Sequence, residues 1–138
     1  MTYPAFYLRG LRYDNYLEGD ELSPAALHPG KESHKNRPDG ARETSINWED
    51  DEGAVEQLRS DTSASRCGIG RLPREHFDLT AQQVCKMGGA GGTISYERKF
   101  VAGNSYHGNL LYHKDLTWAA VKKVAAWLSM VTEVVSRP

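Results

Sequence analysis

The chain has 138 residues, of which 17 are basic and 18 acidic, and its formal net charge is −1. This length is typical of a single domain with one hydrophobic core. A charge so close to zero excludes a global positive field that would draw the chain to nucleic acid or to a membrane, although a local basic patch stays open.

Cysteine usage and hydropathy predict a cytoplasmic protein. The only cysteines are Cys67 and Cys85, which is fewer than a secreted scaffold of this size carries, and both are interpreted as inert core thiols. The first ten residues have no basic stretch followed by an apolar one, and no window of about 18 apolar residues occurs. We therefore expect one domain over residues 1–138 and no membrane association.

The first third of the chain predicts a strand, a short helix and a loop. Residues 5–11 are aromatic and apolar, which predicts a strand with Arg9 near its end. Ser23 and Pro24 have the pattern of a helix cap and a first helical residue. Residues 28–43 are almost devoid of apolar side chains and contain several turn signals. They predict a polar loop, for which mobility is favoured over function.

The middle of the chain predicts further elements around polar linkers. Residues 44–48 predict a second strand, and the acidic run 49–52 predicts a helix N-terminus. Metal binding by this run is the alternative, but adjacent helical residues fan outward rather than converge. Residues 66–72 predict a strand, and Thr80 predicts the cap of a helix that reaches Met87. Four glycines within residues 88–92 favour a hinge over close contact with a ligand.

A hairpin and a long helix are the strongest predictions. Residues 93–101 predict a central strand with Tyr96 and Glu97 on opposite faces, followed by a turn and a return strand over 106–113. Asp115 or Thr117 predicts the cap of an apolar-striped helix that extends to about Val135. The fold class is therefore α+β, with a small mixed or mainly antiparallel sheet covered by a long C-terminal helix.

Histidines and cysteines provide no metal-binding pattern. His107 and His113 are six residues apart on one predicted strand, which separates them by about 20 Å. No metal site is therefore expected. If the polar segment 104–109 lines a cleft rather than a plain hairpin turn, His107 is the candidate for acid–base catalysis, because its free pKa lies near neutrality.

Arg9, Ser45 and Glu97 each lie on a separate predicted strand, in that order along the chain. This order resembles ADP-ribosyltransferases of the Arg-Ser-Glu type and the small NAD-degrading toxins related to them. The resemblance implies NAD as a substrate, with Arg9 on the phosphates, Ser45 bracing the nicotinamide and Glu97 stabilising an oxocarbenium-like transition state. Tyr96, next to Glu97, is assigned to NAD binding with Arg9 and Ser45, and Glu97 and His107 are assigned to catalysis.

Three functions stay open at this point. The first is an NAD-consuming or ADP-ribosylating effector enzyme that uses Arg9, Ser45 and Glu97. The second is a non-catalytic protein-binding accessory or immunity-type module, with an apolar patch from Trp48, Trp118 or Trp127 and a homodimer contact on the C-terminal helix. The third, which the net charge disfavours, is an RNA binder or nuclease. The basic residues considered for it are Arg37, Arg42, Arg66, Arg71, Arg74 and His107.

Overall fold

Strands and helices alternate along the chain in the computed structural model, which describes residues 3–60, 68–87 and 92–136. The strands are β1 Phe6–Gly10, β2 Leu17–Glu18, β3 Glu21–Leu22, β4 Arg42–Trp48, β5 Ile69–Pro73, β6 Ile94–Arg98, β7 His107–Tyr112 and β8 Glu133–Ser136. The α-helices are α1 Gly53–Ser60, α2 Arg74–Cys85 and α3 Trp118–Met130. Short 3-10 helices cover Asp14–Tyr16, Pro24–Leu27 and Ser33–Asn36.

Six strands form one sheet in the order β6-β7-β4-β1-β5-β8, and β2 and β3 form a separate hairpin. Every pairing among the described strands is antiparallel. The α+β class with a mainly antiparallel sheet is therefore confirmed. β6 was predicted to be central but lies at an edge, because the β6–β7 hairpin joins the sheet through β7.

The main core lies on one face of this sheet. Tyr7 of β1 and Trp48 of β4 pack there with Phe77 of α2 and Leu128 of α3. On the other face, α1 places Ala54 and Leu58 against Leu8 and Ile69. The predicted covering of the sheet by the C-terminal helix is confirmed, since α3 contributes its apolar stripe to the main core.

Local capping signals were predicted correctly where the cap is a hydroxyl. The Ser23 side chain accepts a hydrogen bond from the Ala25 amide, and Pro24 begins a 3-10 helix. The Thr117 side chain accepts from the Ala120 amide at the start of α3. Hydroxyl groups satisfy the free amides of a helical first turn, which is why these positions are readable in sequence.

Two helix boundaries differ from the prediction. α3 ends at Met130 rather than near Val135, and the β-branched residues that follow form β8 at the sheet edge. The Thr132 hydroxyl donates to the Leu128 carbonyl of the last helical turn at 2.7 Å. α2 begins at Arg74, directly after Pro73, so Thr80 lies inside the helix and its hydroxyl donates to the His76 carbonyl.

Cys85 and Trp48 lie in other environments than predicted. Cys85 is exposed near the end of α2, because it lies on the outer side of a helix whose Phe77 and Val84 face the core. Trp48 is buried in the main core and contributes to no surface patch. Cys67, Arg66 and the glycines at 88, 89 and 91 lie outside the described residues. No helix among those described has the length and apolar character needed to cross a bilayer.

Candidate functional site

The residues predicted to form one site lie on two faces of the sheet. Side chains alternate along a strand, and Tyr7 packs in the main core, so Arg9 is on that same face. Tyr96 also packs against the main core, which places its neighbour Glu97 on the opposite face. The structure therefore does not bring the Arg9 guanidinium and the Glu97 carboxylate together.

The Arg9 guanidinium is held by neutral acceptors. Its Nε donates to the Ala26 carbonyl at 2.8 Å, its Nη1 donates to the Ser45 carbonyl at 2.8 Å, and its Nη2 donates to the Tyr16 hydroxyl at 3.2 Å. Burial lowers the pKa of Arg9 from its usual value, an effect that Tyr16 opposes and the nearby charge of Arg12 reinforces. The positive charge of Arg9 is thus oriented by the fold but is not neutralised by these contacts.

The position of Arg9 follows from the end of a strand pairing. The pairing of β1 with β4 ends at Leu8 and Asn47, whereas β1 stays paired with β5 as far as Gly10. The Ser45 carbonyl lies beyond that end, where no β1 amide pairs with it in the sheet register. Arg9 supplies the missing donor, so its side chain occupies the place where the two strands separate.

Two clefts adjoin this separation. The first, which we call the arginine cleft, has a volume of about 310 Å³ and lies between α1, β4 and the turn that joins β6 to β7. The second, which we call the tyrosine cleft, has a volume of about 480 Å³ and is lined by Tyr13 and Tyr16. Both clefts are lined by Arg9, Arg12 and Ser45.

Arg12 has a buried Nε that makes no hydrogen bond to any of the described residues. Within the described ranges, no carboxylate lies within ion-pair distance of either Arg9 or Arg12. Buried donors are nearly always paired in native proteins, and buried charges usually have a counter-charge. The two guanidiniums therefore bring positive charge to the cleft that no carboxylate of the described residues neutralises.

Amide side chains form the opposite wall of the arginine cleft. The Asn104 Nδ2 donates to the Asn47 Oδ1 at 2.8 Å, and the Asn47 Nδ2 donates to the Ala54 carbonyl at 3.2 Å. The Asn104 Oδ1 accepts from the Tyr106 amide at 3.0 Å. These bonds connect β4, α1 and the β6–β7 turn, so the wall is fixed before any ligand enters.

His107 lines the arginine cleft from the start of β7. Its Nδ1 lies 2.9 Å from the Lys99 carbonyl. A carbonyl only accepts hydrogen bonds, so Nδ1 carries the hydrogen, and Nε2 of the neutral ring keeps its lone pair. Ser45 and His107 thus lie in one cleft with Arg9, while the acid–base role of His107 stays a prediction.

Glu97 belongs to a separate ion-pair group, which we call the Arg37 cluster. Arg37 donates to both Glu97 oxygens, at 2.5 and 3.0 Å, and to Glu43 at 2.9 Å. Two further bonds, at 3.0 and 2.9 Å, join Arg37 to Asp39. The Asn109 Nδ2 donates to the Glu97 Oε2 at 2.7 Å. The predicted polar loop is therefore anchored on the sheet by a guanidinium shared among carboxylates.

The cluster fixes the charge state of Glu97. Hydrogen bonds from Arg37 first, and then from Asn109, lower the pKa of the Glu97 carboxyl below its usual value. The Arg37 side chain is only 11% exposed, so these bonds are shielded from water. Glu97 is therefore held as an anion by its own chain, and its oxygens are occupied.

Tyr96 faces the core rather than a cleft. Its ring centroid lies 5.0 Å from that of Tyr7, 5.4 Å from that of Phe77 and 6.0 Å from that of Trp48. Such edge and tilted ring contacts are typical of core packing. The structure places Tyr96 apart from Ser45 and His107, so it is not a wall residue of the arginine cleft.

The acidic run before α1 has protein partners. Glu49 accepts from Arg71 at 2.6 Å, Asp50 pairs with Arg98, and Asp51 accepts from the Tyr106 hydroxyl at 2.7 Å. Residues 49–52 precede α1, which begins at Gly53, rather than forming its first turn. In the part of the chain that the structure describes, no group of three or more metal-ligating side chains is arranged to hold an ion.

A groove between α2 and α3 exposes apolar side chains. Leu79 is 55% exposed and Met130 is 82% exposed, and both line this groove with Trp127. The groove is compatible with the predicted contact on the C-terminal helix. A homodimer or protein partner at this surface stays a prediction.

Sequence reasoning missed Arg12 and Asn47 as cleft residues, whereas Asn104 belongs to the polar segment 104–109 that was considered as a cleft lining. For Arg9, which was selected, the sequence also contained a signal for its face of the sheet: the alternation Tyr7, Arg9, Leu11 places it on the apolar face. No comparable signal marks Arg12, because its position depends on contacts between segments far apart in the chain.

The fold and the cleft together define an antiparallel α+β domain with a polar cleft that contains two arginines without counter-ions among the described residues. Comparison of the chain with protein-family models, with curated proteins and with solved structures finds no match. The cleft itself is therefore the basis for a proposal about function.

Proposed function

We propose that this protein is a non-catalytic recognition domain that binds an oxyanion-bearing small molecule in the arginine cleft. The observation that carries the proposal is the pair formed by Arg9 and Arg12, which line the cleft without a carboxylate partner among the described residues. A phosphate or carboxylate group of a ligand provides the counter-charge that the chain does not.

The chemistry of the guanidinium supports this ligand class. Guanidinium groups present their donors in a fixed fork that matches the oxygens of phosphate and carboxylate groups. Arg9 is held in place by its bonds to Ala26 and Ser45, which reduces the entropy lost on binding. Arg12 lines the same cleft without a carboxylate partner among the described residues, so an oxyanion there gains a charge-assisted interaction with its guanidinium. Asn104 and His107 supply neutral polar contacts for the remainder of the ligand.

The NAD-consuming enzyme receives less support from the geometry. Ser45 and His107 line the same cleft as Arg9, which agrees with a ligand site. Glu97, which the resemblance makes essential, is absent from that cleft and is bound by Arg37 and Asn109. We therefore retain NAD as a trial ligand and propose binding rather than turnover.

The test is calorimetric titration of the protein with pyrophosphate, ADP-ribose and NAD. We expect Arg12→Gln to weaken the binding of at least one of them about tenfold or more, because a charged hydrogen bond is lost. Arg59→Gln is the matched control, since Arg59 lies exposed on α1 and, among the described residues, bonds to Glu56 alone. Equal affinities of the wild type and Arg12→Gln, or absence of binding for all three, would contradict the proposal.

A second measurement separates recognition from catalysis. Incubation with NAD and chromatographic detection of nicotinamide should show no release by the wild type above that by Glu97→Gln. Release that depends on Glu97 would replace this proposal with the enzyme.

A further inference from the structure

A basic and aromatic surface begins at Trp118, the first residue of α3. The Trp118 ring is half-buried, and its centroid lies 5.8 Å from the Lys31 Nζ and 5.4 Å from the Arg42 guanidinium. The His28 ring is 6.1 Å away in an edge-to-face arrangement. The Arg42 Nε donates to the Lys31 carbonyl at 3.0 Å, which orients the Arg42 guanidinium beside this indole.

The cations at this surface are not neutralised by neighbouring acids. Within the described residues, no carboxylate lies within ion-pair distance of Lys31, Arg42 or Lys122. The acids of the adjoining loop are engaged elsewhere, since Glu32 pairs with Lys35 and Glu43 pairs with Arg37. The region is therefore locally positive although the whole chain has a net charge of −1.

Lys122 extends this surface along α3. It lies one helical turn after Trp118, so the two side chains share a face of the helix. Burial, and then the charge of Lys122, lower the pKa of the His28 imidazole. The charge of Lys122 therefore acts on the ring that contacts Trp118.

The surface is continuous with the tyrosine cleft. His28 lines that cleft together with Arg9, Arg12 and Tyr13. Tyr13 is 54% exposed, and its ring meets that of Tyr16 at a centroid distance of 5.3 Å. We call this surface the basic track, and its residues are Arg12, Tyr13, His28, Arg42, Trp118 and Lys122.

We propose that the basic track binds single-stranded nucleic acid. Cations spaced along a surface engage successive phosphates, while exposed or half-buried aromatic rings between them offer stacking faces to unpaired bases. A duplex keeps its bases stacked inside and leaves the rings unused. Lys31 is exposed and reaches Trp118 only through its flexible side chain, so a base can displace it.

One part of this inference rests on the proposed function, namely the oxyanion position at Arg9 and Arg12, beside which the basic track begins. The surface around Trp118 lies outside the arginine cleft and is independent of it. An acidic peptide offers the same charges but few stacking faces, so the aromatic rings favour a nucleic acid over that partner.

The test is fluorescence anisotropy with a labelled single-stranded oligouridylate of about ten nucleotides. We expect Trp118→Leu to weaken binding about fivefold or more, because stacking on the indole is lost. Trp127→Leu is the matched control, since Trp127 is another half-buried tryptophan of α3 with a lysine, Lys123, whose Nζ lies 5.4 Å from its ring. Trp127 lines the α2–α3 groove, and we expect its replacement to change affinity less than about twofold.

A second pair of variants replaces only exposed lysines, so neither substitution is expected to unfold the protein. Lys122→Gln should weaken binding and reduce the slope of log affinity against log salt by about one, whereas Lys123→Gln should leave both unchanged. Absence of oligonucleotide binding at low salt, or equal losses in both pairs, would overturn the inference. Equal competition by polyglutamate would also overturn it, because the track would then bind any polyanion.

The two proposals fail separately. If pyrophosphate binding depends on Arg12 but the oligonucleotide does not bind, the track is refuted and the cleft stands. If binding of the oligonucleotide depends on Trp118 and Lys122 while no small anion binds, the cleft proposal is refuted and the proposal of the basic track stands.

Discussion

Two arginine environments on this sheet differ in their counter-charges. Arg37 is bound by Glu97, Glu43 and Asp39, and its side chain is 11% exposed. Arg9 and Arg12 lie where β1 separates from β4, and the bonds of Arg9 go to two carbonyls and a hydroxyl. The first environment uses an arginine to hold the fold together, while the second leaves positive charge available at a cleft.

This difference indicates which arginines a ligand can use. A guanidinium already bound by three carboxylates would have to break those bonds before it could bind an anion. A guanidinium held by neutral acceptors can bind an anion without displacing a carboxylate. The comparison therefore assigns a structural role to Arg37 and a binding role to Arg9 and Arg12, and each assignment predicts a different response to substitution.

The largest effect is expected for Arg37→Met. The substitution leaves the carboxylates of Glu97, Glu43 and Asp39 close together without their shared cation, and it should lower the free energy of unfolding by about 3 kcal/mol. Lys35→Met is the matched control, since the Lys35–Glu32 pair is exposed, and it should change stability by less than about 0.5 kcal/mol. Urea denaturation measures the free energy of unfolding of both variants. Equal losses for Arg37→Met and Lys35→Met would contradict the structural role of Arg37.

A smaller loss is expected for Arg9→Lys. An ammonium group retains the charge but cannot reach the Ala26 carbonyl, the Ser45 carbonyl and the Tyr16 hydroxyl together. We expect a loss of about 2 kcal/mol in the free energy of unfolding. A wild-type stability would mean that charge alone, rather than the fork of donors, holds this position.

The pH dependence of Glu97→Gln sharpens the comparison further. The pKa of Glu97 is lowered in the folded state, so its stabilising contribution is complete above the pKa of the unfolded chain, about 4.3, and is lost as the pH falls through the folded value. At pH 7, Glu97→Gln should be less stable than the wild type by about 1 kcal/mol. The two denaturation curves should converge as the pH falls below about 4. A difference that is constant with pH would contradict the role of the ion pair.

The smallest effect is expected for Arg12→Gln. Arg12 has no ion pair within the described part of the chain, and its charge opposes that of Arg9. Its replacement should leave the free energy of unfolding within about 0.5 kcal/mol of the wild type or raise it slightly. A large destabilisation would show that Arg12 is structural and would weaken its assignment to ligand binding.

Much of the fold could be predicted because its signals are local. The β6–β7 hairpin follows from alternation around a turn, and α3 starts where Thr117 can cap it. The end of α3 was wrong because Val131, Val134 and Val135 fit both a helical stripe and a strand, and pairing with β5 decided between them.

The candidate site could be predicted only in part. Arg9, Ser45 and His107 were selected and do line one cleft. Glu97 was assigned with them, but it is bound by Arg37, a partner that strand order does not indicate. The roles of Arg37 and Arg12 depend on partners far away in sequence, such as Glu97, which is 60 positions from Arg37. Composition and local pattern contain no information about such pairs.

The separation of β1 from β4 has a consequence for how this molecule can evolve or be redesigned. The Ser45 carbonyl that Arg9 satisfies would be satisfied by a β1 amide if the ladder continued, so the Arg9 hydrogen bond and a continued ladder exclude each other. A sequence in which β1 and β4 stay paired beyond Leu8 and Asn47 would gain backbone hydrogen bonds and lose the arginine cleft. Stability and binding capacity are therefore opposed at this one junction, and a stabilised descendant should be checked first for loss of affinity.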